Sequence, residues 1–202
     1  QINPHFLFNT LNVIQQMAGT ESAYRTQALI MALSHLLRYS LMSNDEQVPL
    51  SREVRIVDEY YSIYHVRFGE RVRMEWRISD SLDLTETMVP SFILQPIVEN
   101  AVKHGLEYEE EDGKGHIRIE CRGEDEFIVF RVINNGGAID LQKVAEVMRT
   151  PGTGYGIYNI CERIELYYGS GSGLFPSITE DGETCFTLKL NRTLEKETPT
   201  EA

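Results

Sequence analysis

PSFILQPIVENAVKHG, residues 90–105, separates into two faces when wound at about 100° per residue. Leu94, Ile97, Val98, Ala101 and Val102 fall on one arc, and Glu99, Asn100, Lys103 and His104 crowd an arc of roughly 140° opposite. The spacing predicts an amphipathic helix over 90–105, with Pro96 requiring an irregular first turn or a kink. Two readings fit the polar face. Glu99 and Lys103, four residues apart, suit a solvated ion pair on a helix surface. A carboxylate, a neutral oxygen ligand, an ammonium and an imidazole together, with glycine clusters downstream, suit a binding site equally well.

Composition bounds what such a site could serve. The chain has 202 residues, enough for one compact domain with an appendage or for two small domains. An apolar content of 42% supports a real core. No run reaches the length of a transmembrane helix, and no signal peptide is visible. The chain begins with Gln and shows strong pattern at once, so it reads as part of something longer. Cys121, Cys161 and Cys185 lie far apart with no C-x-x-C spacing, which favours buried thiols in a reducing cytosol over disulfides or zinc. A net charge of −12 argues against nucleic acid or anionic lipid as partner. It also means that an anionic substrate needs local help from a metal ion or from helix N-termini.

Upstream, QINPHFLFNTLNVIQQMAG (1–19) predicts a helix with Asn3 as N-cap and Pro4 in the first turn. Leu7, Leu11, Ile14 and Ala18 make its apolar stripe, while His5, Asn9, Asn12 and Gln16 line another face. That places His5 beside amides rather than in a core; on its own, such a histidine is ordinary surface. A second helix spans 23–42, with Leu29, Leu33, Leu37 and Leu41 along one side. After a polar break at 43–47, Leu50, Val54, Val57, Tyr61, Tyr64 and Phe68 recur close to a heptad. The three helices predict a hairpin or half-bundle whose excess of leucine and tyrosine faces a second copy of the chain. His35 and His65 read as ordinary surface or boundary residues.

Downstream, Gly69 ends the helical part and 72–78 (VRMEWRI) alternates as a strand. Five acids within 107–112 read as a solvated loop. Residues 116–122 and 127–133 predict one hairpin, and 174–179 with 183–190 a second, turning at Asp181-Gly182. Between them lie a short helix over 139–148 and a longer one carrying Ile157, Ile160, Cys161, Ile164 and Tyr168, closed by Gly169. The tail beyond 190 is polar and loose, and no internal repeat is present.

Two glycine clusters punctuate this half. Gly152-x-Gly154-x-Gly156 runs into a helix, where backbone N–H groups and the helix dipole suit phosphates. It lacks the Gly-Lys-Ser/Thr of a P-loop and the spacing of a dinucleotide fingerprint, and a flexible loop explains it equally well. Asn134-Asn-Gly136-Gly137 sits where a strand ends, a place for a ligand contact or a simple turn.

In order, PHFLFN, LQPIVENAVKHG, NNGG and GTGYGIYNICERI closely resemble the motifs of the LytS/YesM-type sensor histidine kinases. The nucleotide domain of that family has the Bergerat ATP-binding fold shared with gyrase, Hsp90 and MutL. The resemblance covers nearly all of residues 1–190. It implies an α+β fold: a helical dimerisation and phosphotransfer region over 1–68, then an ATP-binding domain over 69–190 with a mixed sheet of about five strands and helices on one face, and a tail over 191–202. His5 takes the phosphorylated position. By the same resemblance Asn100 would give a carbonyl oxygen to Mg²⁺, Glu99 would help activate or position the attacking group, and Lys103, with His104 beside it, would face the phosphates. Asn134, Gly136 and Gly137 form the first glycine box. Gly152, Gly154 and Gly156 would contact the triphosphate, with 138–153 as a short lid.

Two departures from the family pattern stand out. Asn134 occupies the slot where Asp usually accepts from the adenine amino group, so a neutral bond replaces a charge-assisted one. Ala138 stands where a glycine is expected. As is normal for the family, though unlike the commonest histidine kinases, Phe6 rather than an acid follows His5, which leaves the base unassigned. The resemblance implies a catalytic core that autophosphorylates His5 from ATP within a homodimer and passes the phosphoryl group to a response-regulator aspartate. It also implies a cytoplasmic location in a membrane-anchored bacterial sensor. A phosphatase-biased core and a non-catalytic ATP-binding scaffold are the alternatives, and retention of Glu99 and Asn100 speaks against the scaffold.

Overall fold

The computed structural model describes residues 4–41, 47–107, 115–136, 139–150 and 155–192. In chain order it has helices α1 (Pro4–Thr20) and α2 (Tyr24–Ser40), strand β1 (Gln47–Pro49), helix α3 (Leu50–Phe68), a 3₁₀ turn at Gly69–Arg71, strands β2 (Val72–Ile78) and β3 (Met88–Pro90), and helix α4 (Gln95–Glu107). Strands β4 (Gly115–Glu124) and β5 (Phe127–Asn134), helices α5 (Leu141–Val147) and α6 (Tyr155–Tyr168), and strands β6 (Gly173–Ile178) and β7 (Thr184–Asn191) complete it. The chain forms two compact units and passes between them at Gly69/Glu70, Asp83/Leu84 and Gln95/Pro96. By contacts, residues 84–95 group with the helices of the first unit.

In the first unit α1 packs on α2, and α2 on α3. The row that α2 buries is not its leucine stripe. Leu33 and Leu41 are exposed, whereas Ala32, Ser34 and Tyr39 are buried. On α3 the buried row is Leu50, Glu53, Ile56, Val57 and Tyr60, while Val54, Tyr61 and Tyr64 of the expected row are only partly covered. Both helices are apolar on more than one side, so periodicity alone does not choose which side the chain itself covers. The small two-stranded ladder of β1 and β3, in the antiparallel register Gln47↔Pro90, Val48↔Val89 and Pro49↔Met88, was not foreseen. Strands of three residues that each include a proline carry almost no periodic signal.

The second unit is built on a five-stranded sheet in the order β2-β4-β5-β7-β6, parallel between β2 and β4 and antiparallel elsewhere. One face is hydrocarbon. Ile117, Ile119 and Cys121 of β4, Phe130 and Val132 of β5, and Phe186 and Leu188 of β7 lie in register and are buried. The opposite face carries a ladder in which Glu120 accepts from Arg118 at 3.1 Å and Arg131 at 3.0 Å, and Arg118 also reaches Glu183 at 3.3 Å. Along β4 burial alternates with a period of two, whereas β5 also buries Val129 and Ile133 on the side of Arg131. Ile157, Ile160, Ile164 and Tyr168 form the buried side of α6. Gly169 follows the helix at φ +61°, and Gly182 turns the β6–β7 hairpin at φ +81°, both left-handed positions that suit glycine. Asp140 caps α5 by accepting from the amides of Gln142 and Lys143 at 2.9 and 3.2 Å.

The three cysteines are free thiols, with Cys121 and Cys185 buried; burial pushes the Cys121 thiol up to about 12. Among the described residues, no helix is long and apolar enough to cross a membrane.

Candidate functional site

Helix α4 starts at Gln95 rather than at residue 90, because Met88–Pro90 is strand β3 and 91–94 form a turn. Pro96 therefore falls in the first turn, where its missing N–H leaves no hydrogen bond unmade and no kink is needed. From there the two arcs are realised. Ile97, Val98, Ala101 and Val102 are between 0% and 2% exposed. Glu99 and Asn100 are half-buried and Lys103 is exposed. The Lys103 ammonium donates to the Glu99 carboxylate at 2.7 Å, so the ion-pair reading of this face holds in the structure. An exposed pair of this kind contributes about 0.3–0.5 kcal/mol and is easily exchanged for another partner. His104 belongs to α4 by its backbone.

The buried face of the sheet changes character at one end. Asn134 closes β5 in register with Ile117 on β4 and Thr184 on β7, and both polar residues are 2% exposed. The Asn134 amide donates to the Gly136 carbonyl at 3.4 Å, folding the side chain back on the turn that follows. Asn135 fastens the same turn to β4, its side-chain oxygen accepting from the His116 amide at 2.6 Å. Burying a polar pair where a hydrocarbon face stops is costly unless it has partners, and for Asn134 the Gly136 carbonyl is one. Thr184 was missed in the sequence, where it reads as the first residue of a strand. No local pattern shows that it stands opposite Asn134.

The second glycine cluster enters the description at its last member. Gly156, in the first turn of α6, has no room for a side chain: a Cβ there would lie 2.9 Å from the Cβ of Pro96. The first turns of α4 and α6 are therefore in van der Waals contact, and glycine is required by this approach as much as by any ligand. Gly137, Ala138, Gly152 and Gly154 lie outside the described residues, as do most of the acidic loop and the polar tail. His5 is in the first turn of α1, in the first unit, whereas the other candidate residues belong to the second.

Two further residues that the pattern did not single out are Tyr39 and Glu53, both buried in the first unit. Burial and the neighbouring Glu53 keep the Tyr39 hydroxyl protonated, so it acts as a donor.

Comparison with known proteins matches two family models along the chain. Residues 1–72 match the histidine kinase family model, and residues 90–194 match that of the histidine kinase-, DNA gyrase B- and HSP90-like ATPases. The sensor protein LytS of Streptococcus mutans is 34% identical over 91% of this chain and 32% of its own length. The sensor histidine kinase YesM of Bacillus subtilis is 34% identical over 86% of this chain and 29% of its own. The chain thus spans about a third of the length of the curated relatives it matches. Among solved structures, the histidine kinase AdeS of Acinetobacter baumannii superposes with a TM-score of 0.54 at 14% identity, covering 95% of this chain and 96% of that one. The catalytic domain of the histidine kinase ThkA gives 0.56 at 16% identity, covering 74% of this chain and 98% of that one. These two likenesses establish the fold. With its helical part followed by a mixed sheet, and with sequence matches running through both, the chain belongs to the LytS/YesM-type sensor histidine kinases, a family of ATP-dependent protein kinases.

Proposed function

We propose that this chain transfers the γ-phosphoryl group of ATP to His5 and then to an aspartate of a response regulator. The observation that carries the reading is the contact of Gly156 with Pro96, which joins the start of the glycine-box helix to the start of the helix bearing Asn100. Phosphoryl transfer is mainly positioning and charge neutralisation, and these two helix starts are the parts it needs.

The donor set fits Mg²⁺ bound together with a nucleotide. Asn100 offers a hard, neutral oxygen from a half-buried position. Among the described residues, no three His, Cys, Asp or Glu side chains gather to hold an ion by themselves, so phosphate oxygens and water would complete the shell. When bound, Mg²⁺ would neutralise phosphate charge. Lys103 would leave Glu99 to face the phosphates, and the freed Glu99 carboxylate would orient the attacking imidazole and take its proton. The bond from phosphorus to the imidazole nitrogen forms as the bond to the β,γ-bridging oxygen breaks, and ADP leaves. Asn134 would accept from the adenine amino group through its oxygen. Its NH₂ group already turns to the Gly136 carbonyl, which supports that orientation.

The partner in this reaction is a second copy of the chain. Phe6, Val13 and Met17 on α1 and Met31, Leu33 and Leu41 on or beside α2 are exposed large apolar residues, the surface a helical dimer would cover. The full-length protein would be a membrane-anchored bacterial sensor with this part in the cytoplasm. The test is a Mg-ATP titration of Asn100→Ala, with circular dichroism to verify folding. Loss of Mg²⁺-dependent affinity in a folded variant is expected, and wild-type affinity would remove Asn100 from the site.

A further inference from the structure

A carboxylate on an amphipathic helix ordinarily faces water. Glu53 of α3 is 0% exposed. Its Oε1 accepts from the Phe92 amide at 2.7 Å and from the Tyr39 hydroxyl. Its Oε2 accepts from the amides of Ile93 and Leu94, each at 2.9 Å. Three successive amides converging on one anion is the geometry of a phosphate-binding nest before a helix. Here a side chain of the same unit fills the nest.

The turn is held from α2 as well. The Phe92 amide also reaches the Tyr39 oxygen at 3.1 Å, and the two rings lie 6.1 Å apart. Arg52 stands over the Tyr39 ring at 5.1 Å. Phe92 itself adopts φ +60°, a left-handed conformation that residues with a side chain avoid unless their surroundings impose it. Further back the segment is tied by the β1–β3 ladder and by the amides of Leu50 and Ser51, which donate to Thr87 and Leu84 at 2.8 Å each. Burial pushes the Glu53 carboxyl up, against the donors that favour its charged form. Residues 92–94 lead directly into Gln95, where α4 and its Asn100 begin.

We propose that Glu53 is a positioning residue for phosphoryl transfer: its carboxylate, completed by Tyr39, clamps the turn from which the Asn100 helix starts, so that displacement of α2 and α3 reaches the reaction through that turn. The inference rests on the kinase reading above. A buried carboxylate with its donors is either engaged or released, because partial release leaves amides and charge without partners. It therefore moves with its helices as a unit. The hold of α4 within the second unit depends on Ile97, Val98, Ala101 and Val102, not on Glu53. Nucleotide affinity and transfer rate should accordingly separate when the clamp is weakened.

Glu53→Gln weakens it with almost no change in shape. The amide oxygen can keep Ile93 and Leu94, while the NH₂ group faces the Phe92 amide, donor against donor. The whole chain is compared with this variant by circular dichroism, amide hydrogen exchange at 92–94, Mg-ATP binding, and the first-order rate of acid-labile labelling at saturating ATP. The folded variant should exchange faster at 92–94, bind Mg-ATP within about twofold of wild type, and label about tenfold more slowly. Tyr39→Phe, which keeps the carboxylate and its three amides, should show the same split at about threefold, and it carries the test if Glu53→Gln does not fold. A folded variant that exchanges faster yet labels at the wild-type rate overturns the inference. So does a loss of binding and labelling in equal proportion, which marks a purely structural residue. A wild-type chain that binds no Mg-ATP overturns the kinase reading and this inference with it, whereas a labelling wild type with an equally fast Glu53→Gln overturns this inference alone.

Discussion

In the second unit the deepest side chains are Ile117, Ile119, Phe130, Ile160, Ile164 and Leu188, hydrocarbon packed on hydrocarbon. At the same depth in the first unit, beside Leu50 and Val57, sits the carboxylate of Glu53 under the Tyr39 hydroxyl. The two interiors obey different rules. Hydrocarbon contacts are non-directional, so a core of this kind tolerates small shifts and keeps its ligand platform in one state. A carboxylate that accepts from three amides and a hydroxyl fits one arrangement, and any other leaves a buried charge without partners. On the proposals above, the first interior serves displacement of the helices and the second serves nucleotide binding.

Substitutions can break or sharpen that contrast. The largest effect is expected from Phe130→Ala, which empties the centre of the hydrocarbon core and should cost about 3–5 kcal/mol in urea denaturation. Glu53→Gln should cost about 1–3 kcal/mol, because it sets a donor against the Phe92 amide. Combined with Tyr39→Phe, it should show a non-additive cycle of about 0.5–3 kcal/mol, and additivity would mean that the two groups do not form one cluster. Gly156→Ala should cost about 1–3 kcal/mol, since its methyl must displace Pro96; retained stability would remove the close approach of α4 and α6 from the account. The smallest effect belongs to Asn134→Asp. A charge-assisted bond to adenine should tighten ATP binding several-fold, about 1 kcal/mol, while the bond to the Gly136 carbonyl is lost. Equal affinity for ATP and GTP, unchanged by the substitution, would detach Asn134 from the site.

The same contrast explains what could be read from the sequence. Strand β2 was delimited to the residue, and β4, β5, β6 and β7 to within two, because apolar residues alternate along β2, β4 and β7 and turn residues bound the two hairpins. The arcs of α4 were legible for the same reason, although its start was placed five residues early, since the apolar Phe92-Ile-Leu94 turn continues the helical pattern without being helix. Glu53 was invisible. In SREVRIVDEYY it is one acid among several, and its partners Tyr39 and residues 92–94 are distant in sequence. The sides of α2 and α3 that the chain itself buries were not singled out, because leucine and tyrosine fill more than one row. The polar pair of Asn134 and Thr184 needed the register of β5 and β7, which only the folded sheet supplies.

The most direct test of the account is labelling of the chain with γ-labelled ATP and Mg²⁺, wild type against His5→Gln. The wild type should acquire acid-labile, base-stable label. His5→Gln should acquire none while binding Mg-ATP as tightly as the wild type. Label that persists in a folded His5→Gln chain would contradict the central claim.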